Sequence, residues 1–368
     1  MHFLMPLFEM VLYRKMENKT ISFLLPNYGY YPIGGFRIIY QLANKLVRRG
    51  YNVKLVHTAS VRDWPRRPLG WIRTIMGKSN AYDWFCFEPQ VDRIFVSSLD
   101  ERNIPDADVI VATSFETSKY MMRYGVSKGR KLYYVQGIET WSASISKVVD
   151  SWKYPCRKLV ISSEIIDTMN KFCVEDIVYL PNPIDLSVYH CNEKNIFQME
   201  NCLIMMCSSD TNKDTSTGIS VIYKVIERHP RLKVKAFGVC KRPKELPEAC
   251  EYYCNPKQDT LIHEIYGKGT IFLCTSVYEG WGLPPMEAMA CGCAVVTTDC
   301  GGIRNFCDEG VNASICNVGD ADALAGAVSE LINDRKKRIM YIEAGLKRMR
   351  DFDMDSYVKR FIDATEVL

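Results

Sequence analysis

The sequence predicts an α/β protein made of two parallel-sheet domains, and three observations carry that prediction. At 368 residues the chain exceeds the roughly 250 to 300 residues at which a single hydrophobic core stops growing. Short apolar runs of strand length alternate with helical segments along nearly all of it, the pattern of strands joined by crossovers with helices on both sheet faces. The alternation pauses at the Pro-Asn-Pro of LPNPID and then restarts, which marks a linker between two cores.

In order along the chain, ISFLLP is the first strand and NYGYYPIGG a turn-rich connection. FRIIYQLANKLVRRG follows as a helix, with Ile38, Ile39, Leu42, Leu46 and Val47 at helical spacing and Gly50 at its end. VKLVH, DRIFVSSL, DVIVATS, KLYYVQG, KLVISS and IVYLPN complete the strands of the first unit. After the linker come the strand NCLIMMCSS, the helix TGISVIYKVIERH, the strand KVKAFGV, an irregular stretch, the strand TIFLCTSV, a helix, the strand AVVTTD and a final helical region. Two such units imply two Rossmann-like domains facing across a cleft. The expected boundaries are 1–185 and 186–345, with 346–368 as a terminal helix packing back on the N-terminal domain. Residues 1–15 are expected as a loose extension, since Met16 directly precedes the first strand unit.

Composition excludes several function classes. A content of 47% hydrophobic and 24% charged residues is ordinary for a soluble globular chain. No apolar run approaches the roughly 20 residues of a membrane-spanning helix. MHFLMPLFEMVLY is interrupted by Glu9 and lacks the basic start and cleavage site of a secretory signal. The 15 cysteines form no CxxC pair and sit in apolar segments, as reduced core thiols of a cytoplasmic protein. No His or Cys spacing suits a metal, and none is expected. A net charge of +4 without a nucleic-acid-binding motif argues against nucleic acid. No GxGxxG follows a strand, which places a nicotinamide dehydrogenase last. VRDWPRRPLGWIRTIMGK stands apart, with Trp64, Arg66, Arg67 and Trp71 among further basic and apolar residues. Two readings are open for it: a surface for an acceptor or the inner membrane face, or a solvated loop with its tryptophans turned inward.

Chemistry concentrates in TSVYEGWGLPPMEAMACGCAVVTTDCGG, residues 275–302. A strand ending before it puts Glu279 at the carboxyl edge of a parallel sheet, where such sheets bind ligands. Gly280, Gly282, Pro284 and Pro285 impose a tight turn, and a helix beginning at MEAMAC places Glu287 in its first turn. A helix N-terminus suits a diphosphate, an adjacent carboxylate suits a ribose diol, and a second carboxylate suits another polyhydroxyl group. A nucleotide diphosphate-sugar satisfies all three. The alternative is that Glu287 only complements the helix dipole and Glu279 is a solvated loop residue.

The whole run E-G-x-G-L-P-x-x-E-A-M-A-C-G closely resembles the E-x7-E signature of family-4 glycosyltransferases of the GT-B fold. Gly34-Gly35 before the helix with LANKLVRRGYNV resembles that family's N-terminal glycine loop, LPNPID its inter-domain segment, and TTDCGGIRNF with EGVNASICNVGDADALAGAV its closing segment. LYYVQGIETW is also similar to a stretch of rhamnosyltransferase-like members. The resemblance implies retaining transfer from a nucleotide diphosphate-sugar to an acceptor hydroxyl with no tightly held metal. It implies Glu279 on the donor sugar and transition-state charge, Glu287 on the ribose, and Gly282 and Leu283 as backbone contacts to diphosphate or sugar. Gly34 and Gly35 would let backbone approach phosphates or acceptor, a simple turn being the alternative.

The chain departs from the family at three places. Lys213 stands at the family's phosphate-binding lysine but Ser208 at its arginine, so Lys213 becomes the main cation for the leaving diphosphate unless it is a solvated loop lysine. Where relatives carry a His-Asp pair, this chain has Gln136-Gly137-Ile138-Glu139; Glu139 then replaces that polar role, serves as general base, or caps the following segment. Asn305 stands where an acidic residue is common. The expected function is therefore sugar transfer onto a glycan or lipid-linked acceptor in polysaccharide or glycolipid synthesis, with the enzyme cytoplasmic or peripheral at the membrane. A nucleotide-sugar epimerase and a non-catalytic sugar- or nucleotide-binding relative are the alternatives.

Overall fold

A computed structural model describes residues 19–27, 33–58, 84–190 and 200–366 of the chain. The segment carrying Trp64, Arg66, Arg67 and Trp71, and the expected N-terminal extension, lie outside the described residues. The chain divides into two compact units: 1–161 with 165–180 and 358–368, and 181–357 with 162–164.

The first unit is built on a seven-stranded parallel sheet in the order β3-β2-β1-β4-β5-β6-β7. Its strands are β1 (Thr20–Leu25), β2 (Asn52–Thr58), β3 (Asp92–Val96), β4 (Val109–Ala112), β5 (Arg130–Val135), β6 (Arg157–Val160) and β7 (Ile177–Tyr179). Central strands such as VIVA of β4 are buried at every position, as expected where both sheet faces are covered. Its helices are α1 (Gly34–Val47), α2 (Phe115–Met121), α3 (Ile145–Trp152) and α4 (Ser163–Lys171).

The second unit repeats the topology with a six-stranded parallel sheet ordered β10-β9-β8-β11-β12-β13. Its strands are β8 (Cys202–Met206), β9 (Lys233–Gly238), β10 (Glu251–Cys254), β11 (Ile271–Cys274), β12 (Ala294–Thr298) and β13 (Ala313–Cys316). Helices α5 (Thr215–Arg228), α6 (Leu283–Ala290), α7 (Ala321–Asn333) and α8 (Arg335–Met349) surround it. Leu203, Met205, Leu273 and Val296 of this sheet pack against Val221, Ile222 and Val225 of α5 and Leu324 and Val328 of α7. In each sheet the strand order reverses once, between β1 and β4 and between β8 and β11. That reversal opens a crevice at the carboxyl ends of the strands, the usual ligand site of such sheets.

The final helix α9 (Met354–Glu366) carries the chain back to the first unit. Phe361 stacks on Phe23 at 5.8 Å, Arg130 and Arg157 donate to the Thr365 and Ala364 carbonyls at 2.9 Å, and Glu366 pairs with Lys19 at 3.2 Å.

Three elements differ from the sequence expectation. The irregular stretch after KVKAFGV contains edge strand β10, and the final helical region contains edge strand β13. Gly34 and Gly35 are the first two residues of α1 and not part of the preceding loop. His57 behaves as a core residue: it is fully buried, donates from Nδ1 to the Asn27 carbonyl at 2.9 Å and stacks on Phe95 at 5.5 Å. Burial drives its pKa down to about 3, so the ring stays neutral.

Candidate functional site

Three loops converge at the carboxyl edge of the second sheet. The first leaves β8 and turns at Asp214, which caps α5 in a left-handed conformation (φ 42°) that only a short polar side chain or glycine adopts readily. Its carboxylate accepts from the Thr217 N–H and hydroxyl at 3.2 and 2.6 Å. The second loop leaves β11, and its buried Thr275 hydroxyl lies 3.1 and 2.9 Å from the Lys213 and Asp214 carbonyls. The Val277 N–H donates to the Asn212 carbonyl at 2.7 Å. The strained turn that carries Lys213 is thus tied to the loop that carries Glu279.

The third loop leaves β12 and holds the same segment from its other side. Thr298 Oγ1 donates to the Ser276 carbonyl at 2.5 Å, the Glu279 N–H to the Cys300 carbonyl at 2.7 Å, and the Gly302 N–H to the Glu279 carbonyl at 2.9 Å. Gly302 is required by contact: a Cβ there would fall 2.6 Å from the Trp281 Cα and closer still to the Gly280 backbone. Trp281 is buried, donates from its ring nitrogen to Met286 Sδ at 3.1 Å and packs on Phe306 and Phe352.

At this junction Lys213 Nζ meets Glu279 Oε1 at 2.5 Å, with the side chains 21% and 11% exposed. Ser276 Oγ donates to the same carboxylate oxygen at 2.7 Å, and the Cys274 thiol donates to Ser276 Oγ at 3.5 Å. Burial disfavours the Lys213 ammonium, but the charge and hydrogen bond of Glu279 outweigh it and raise its pKa above the usual lysine value. The pair borders a recess also lined by Met206, Thr275, Ser276 and Pro284. Neither residue is a freely solvated loop side chain. Ser208 takes no part in the pair; its N–H donates to Thr215 Oγ1 and its hydroxyl accepts from the Asp210 N–H, closing the first loop.

Helix α6 begins at Leu283, a turn earlier than the sequence suggests, with Gly282 as its N-cap at φ 98°. Glu287 therefore lies in the second turn, which corrects its expected place in the first. The reason lies in the prolines: Pro284 and Pro285 occupy the second and third helical positions, where a missing N–H costs nothing. The same prolines remove two donors from the helix end, leaving the N–H groups of Gly282 and Leu283 as the ones available there. Glu287 is buried, and Tyr266 OH donates to its Oε2 at 3.1 Å. Leu283 and Gly282 thus sit at the positive helix end, and Glu287 one turn behind it.

The remaining expected residues lie in the first unit. Gly34 and Gly35 open α1, whose N-cap Ile33 supplies no side-chain acceptor. A Cβ on Gly35 would meet Gln136 Oε1 at 2.8 Å, a contact that the end of that side chain could relieve by moving. Glu139 is buried and accepts from the Phe115 N–H at 2.8 Å. This is a capping arrangement, and it serves α2, the helix before it in sequence, rather than the segment after it. Asn305 is buried with its Nδ2 donating to the Gly302 carbonyl at 2.7 Å, so it braces the third loop. Sequence reasoning did not single out Ser276, Thr275 or Thr298. Their signal was the run of hydroxyl residues directly after β11 and at the end of β12, where side chains tie loops together. Among the described residues no cluster of three or more His, Cys, Asp or Glu side chains could hold a metal ion.

Residues 192–348 match the family model described as glycosyl transferases group 1. The chain is 39% identical over 93 residues to alpha-maltose-1-phosphate synthase of Mycobacterium tuberculosis, an alignment spanning 24% of either chain. Among solved structures, Anabaena Alr3699/HepE in complex with UDP-glucose superposes over 95% of this chain and 100% of its own with a TM-score of 0.74 at 14% identity. A point mutant of S. aureus TarM in complex with fondaparinux, alpha-GlcNAc-glycerol and UDP covers 95% and 100% with a TM-score of 0.72 at 10% identity. The fold is therefore that of GT-B proteins, and the segment that carries Lys213, Glu279 and Glu287 is the one related in sequence to glycosyl transferases group 1.

Proposed function

We propose that the protein is a retaining glycosyltransferase that moves a sugar from a nucleotide diphosphate-sugar to a hydroxyl of a glycan or lipid-linked acceptor. The Lys213–Glu279 pair at the β8/β11 reversal carries this reading: a cation and a carboxylate fixed by three loops beside a helix N-terminus. In this reading the diphosphate lies against Lys213 and the N–H groups of Gly282 and Leu283, which offset the negative charge that grows on it as the bond to the anomeric carbon breaks. Glu279, oriented by Ser276, binds the donor sugar hydroxyls and stabilises positive charge on the ring. Glu287 takes the ribose. The acceptor oxygen forms the new bond on the face the diphosphate leaves, and its proton passes to the departing phosphate oxygen. The transferred group is a hexose or deoxyhexose.

The resemblance of residues 192–348 to glycosyl transferases group 1 supports this assignment, and HepE with UDP-glucose makes UDP-hexoses the first donors to test. The first unit, with Gly34, Gly35 and Glu139 near the carboxyl edge of its sheet, presents the acceptor. Glu139 orients acceptor-side backbone through its cap on α2. The segment with Trp64, Arg66, Arg67 and Trp71 brings a lipid-linked acceptor to the cytoplasmic membrane face. No resident cofactor takes part.

Sugar transfer from radiolabelled UDP-, GDP- and dTDP-sugars, with product analysis, tests the proposal. Glu279→Ala should abolish transfer while nucleoside diphosphate binding persists, because the phosphate ligands remain. Wild-type turnover in that variant would refute the role. Donor isomerisation without acceptor would establish an epimerase. Binding without transfer or hydrolysis would establish a non-catalytic relative, the reading that the replacement of the family arginine by Ser208 favours.

A further inference from the structure

The amino edge of the first sheet, opposite in strand direction to the edges discussed above, holds a second polar site. β5 and β6 are adjacent parallel strands, and each begins with Arg-Lys: Arg130-Lys131 and Arg157-Lys158. With Lys153 they line a groove of about 620 Å³ in which the acidic residues, among those described, are Glu175 and Asp176. That is room for a phosphate group with an organic substituent.

The basic side chains are held by the fold. Lys131 Nζ donates to the Met122 and Tyr124 carbonyls at 3.3 and 2.6 Å, and Lys158 Nζ to the Tyr154 and Glu175 carbonyls, both at 2.9 Å. Arg157 donates from Nε to Asp176 at 2.8 Å and from Nη1 to the Ala364 carbonyl at 2.9 Å. These carbonyls satisfy hydrogens, and those of Ala364 and Thr365, which accept from Arg157 and Arg130, lie at the negative end of α9; among the described residues Asp176 pairs directly with Arg157. Lys158 and Arg157 are 3% and 8% exposed, so the charge is placed where water screens it weakly. Burial first, and then the charge of Arg157, lowers the Arg130 pKa, and burial lowers that of Lys158. An anion would relieve both costs. Two apolar side chains with exposed surface stand close by in sequence: Val126, 98% exposed, before Gly129, and Phe172, 40% exposed, beside Cys173, both of those neighbours being groove residues.

We propose that this groove binds a phosphate-bearing anion, independently of the donor site in the second unit. The phosphate belongs either to a phospholipid headgroup, with Val126 and Phe172 entering the interface, or to a soluble phosphate compound. Arg157 and Lys158 supply the buried charge, and Lys153, exposed at the end of α3, completes the rim.

Calorimetric titration of inorganic phosphate into the full chain tests it, using Lys153→Glu and Lys213→Met variants whose folding is verified by circular dichroism. Phosphate binding should survive Lys213→Met, which empties the donor site of its cation. It should weaken about tenfold in Lys153→Glu, the loss of one charge-assisted contact. Unchanged affinity in Lys153→Glu, or complete loss in Lys213→Met, would overturn the proposal. Flotation with phosphatidylcholine vesicles, with and without phosphatidylglycerol, separates the sources. Binding to the anionic vesicles that Lys153→Glu weakens and inorganic phosphate displaces assigns the lipid headgroup. Phosphate binding without any such vesicle binding assigns the soluble compound.

Discussion

Replacing Lys213 by Met and Glu279 by Gln, singly and together, tests the central geometric claim about the second unit. The pair is close, at 2.5 Å, and largely withdrawn from water, at 21% and 11% side-chain exposure. Removing one partner of a buried pair costs roughly 3 to 5 kcal/mol because the other charge is left unpaired. Residual exposure places each single variant here near about 3 kcal/mol, at the low end of that range. The double variant leaves no stranded charge, and the Met stem and Gln amide fill nearly the same volume. It should therefore regain much of the loss, giving a coupling energy of about 1 to 3 kcal/mol. Urea denaturation followed by circular dichroism measures these losses. The donor side has its own readout: Lys213→Met should weaken nucleoside diphosphate binding about tenfold, whatever its effect on stability. Strict additivity of the two single losses, within about 0.5 kcal/mol, would show that the ammonium and carboxylate do not interact in solution and that no charge pair is preset there.

Glu287→Ala should weaken donor affinity and also destabilise the second unit by about 1 to 3 kcal/mol, because the buried Tyr266 hydroxyl loses its acceptor; Glu287→Gln should restore stability without restoring donor affinity, as calorimetry and thermal melts would show. Gly302→Ala should destabilise by more than about 2 kcal/mol, since its Cβ has no space against Gly280 and Trp281; a melting temperature equal to wild type would contradict the loop packing. His57 has an ordinary pKa of 6.5 in the unfolded chain and about 3 when folded. The unfolded state then binds the extra proton between these values, so stability is complete above pH 6.5 and falls as pH drops, by about 1.4 kcal/mol per pH unit. Urea titrations at pH 6.5 and 5 should show a shallower fall for His57→Gln, and an equal fall would refute the neutral, buried histidine.

The sequence made the sheets legible where strands are central and obscured them at the edges. VIVA and IFLC are uniformly buried and read directly as strands of a covered sheet. EYYC of β10 is exposed at both ends, and β13 spans the short ASIC, so neither offers a long apolar run. The glycine pair misled for a different reason. Glycine is a weak helix former, so Gly34-Gly35 reads as a turn, yet both residues lie inside the first turn of α1, with the end of the Gln136 side chain against Gly35. At α6 the prolines misled in the opposite sense: they suggested a turn to be completed before the helix, whereas Gly282 in its positive-φ conformation starts the helix immediately and moves Glu287 back by a turn.

What the motif could not show is how its first glutamate is held. Spacing put Glu279 at a strand's carboxyl edge, but its environment comes from residues distant in the chain: Lys213 from the loop after β8, the Cys300 carbonyl from the loop after β12, and Ser276 from its own. Each contact is individually modest. Together they fix the backbone of residue 279 through its N–H and carbonyl and the carboxylate through two donors to one oxygen, so the side chain loses little further freedom when a ligand arrives. The strained Asp214 turn fits the same logic, since the Thr275 hydroxyl bonding its carbonyl is also what places Lys213 beside the carboxylate. The departure at Ser208 then acquires a structural meaning. With Ser208 closing its own loop, Lys213 is the cation that the described residues bring to this carboxylate, and in the proposed sugar transfer the charge of a leaving diphosphate would fall on it and on the N–H groups at the start of α6.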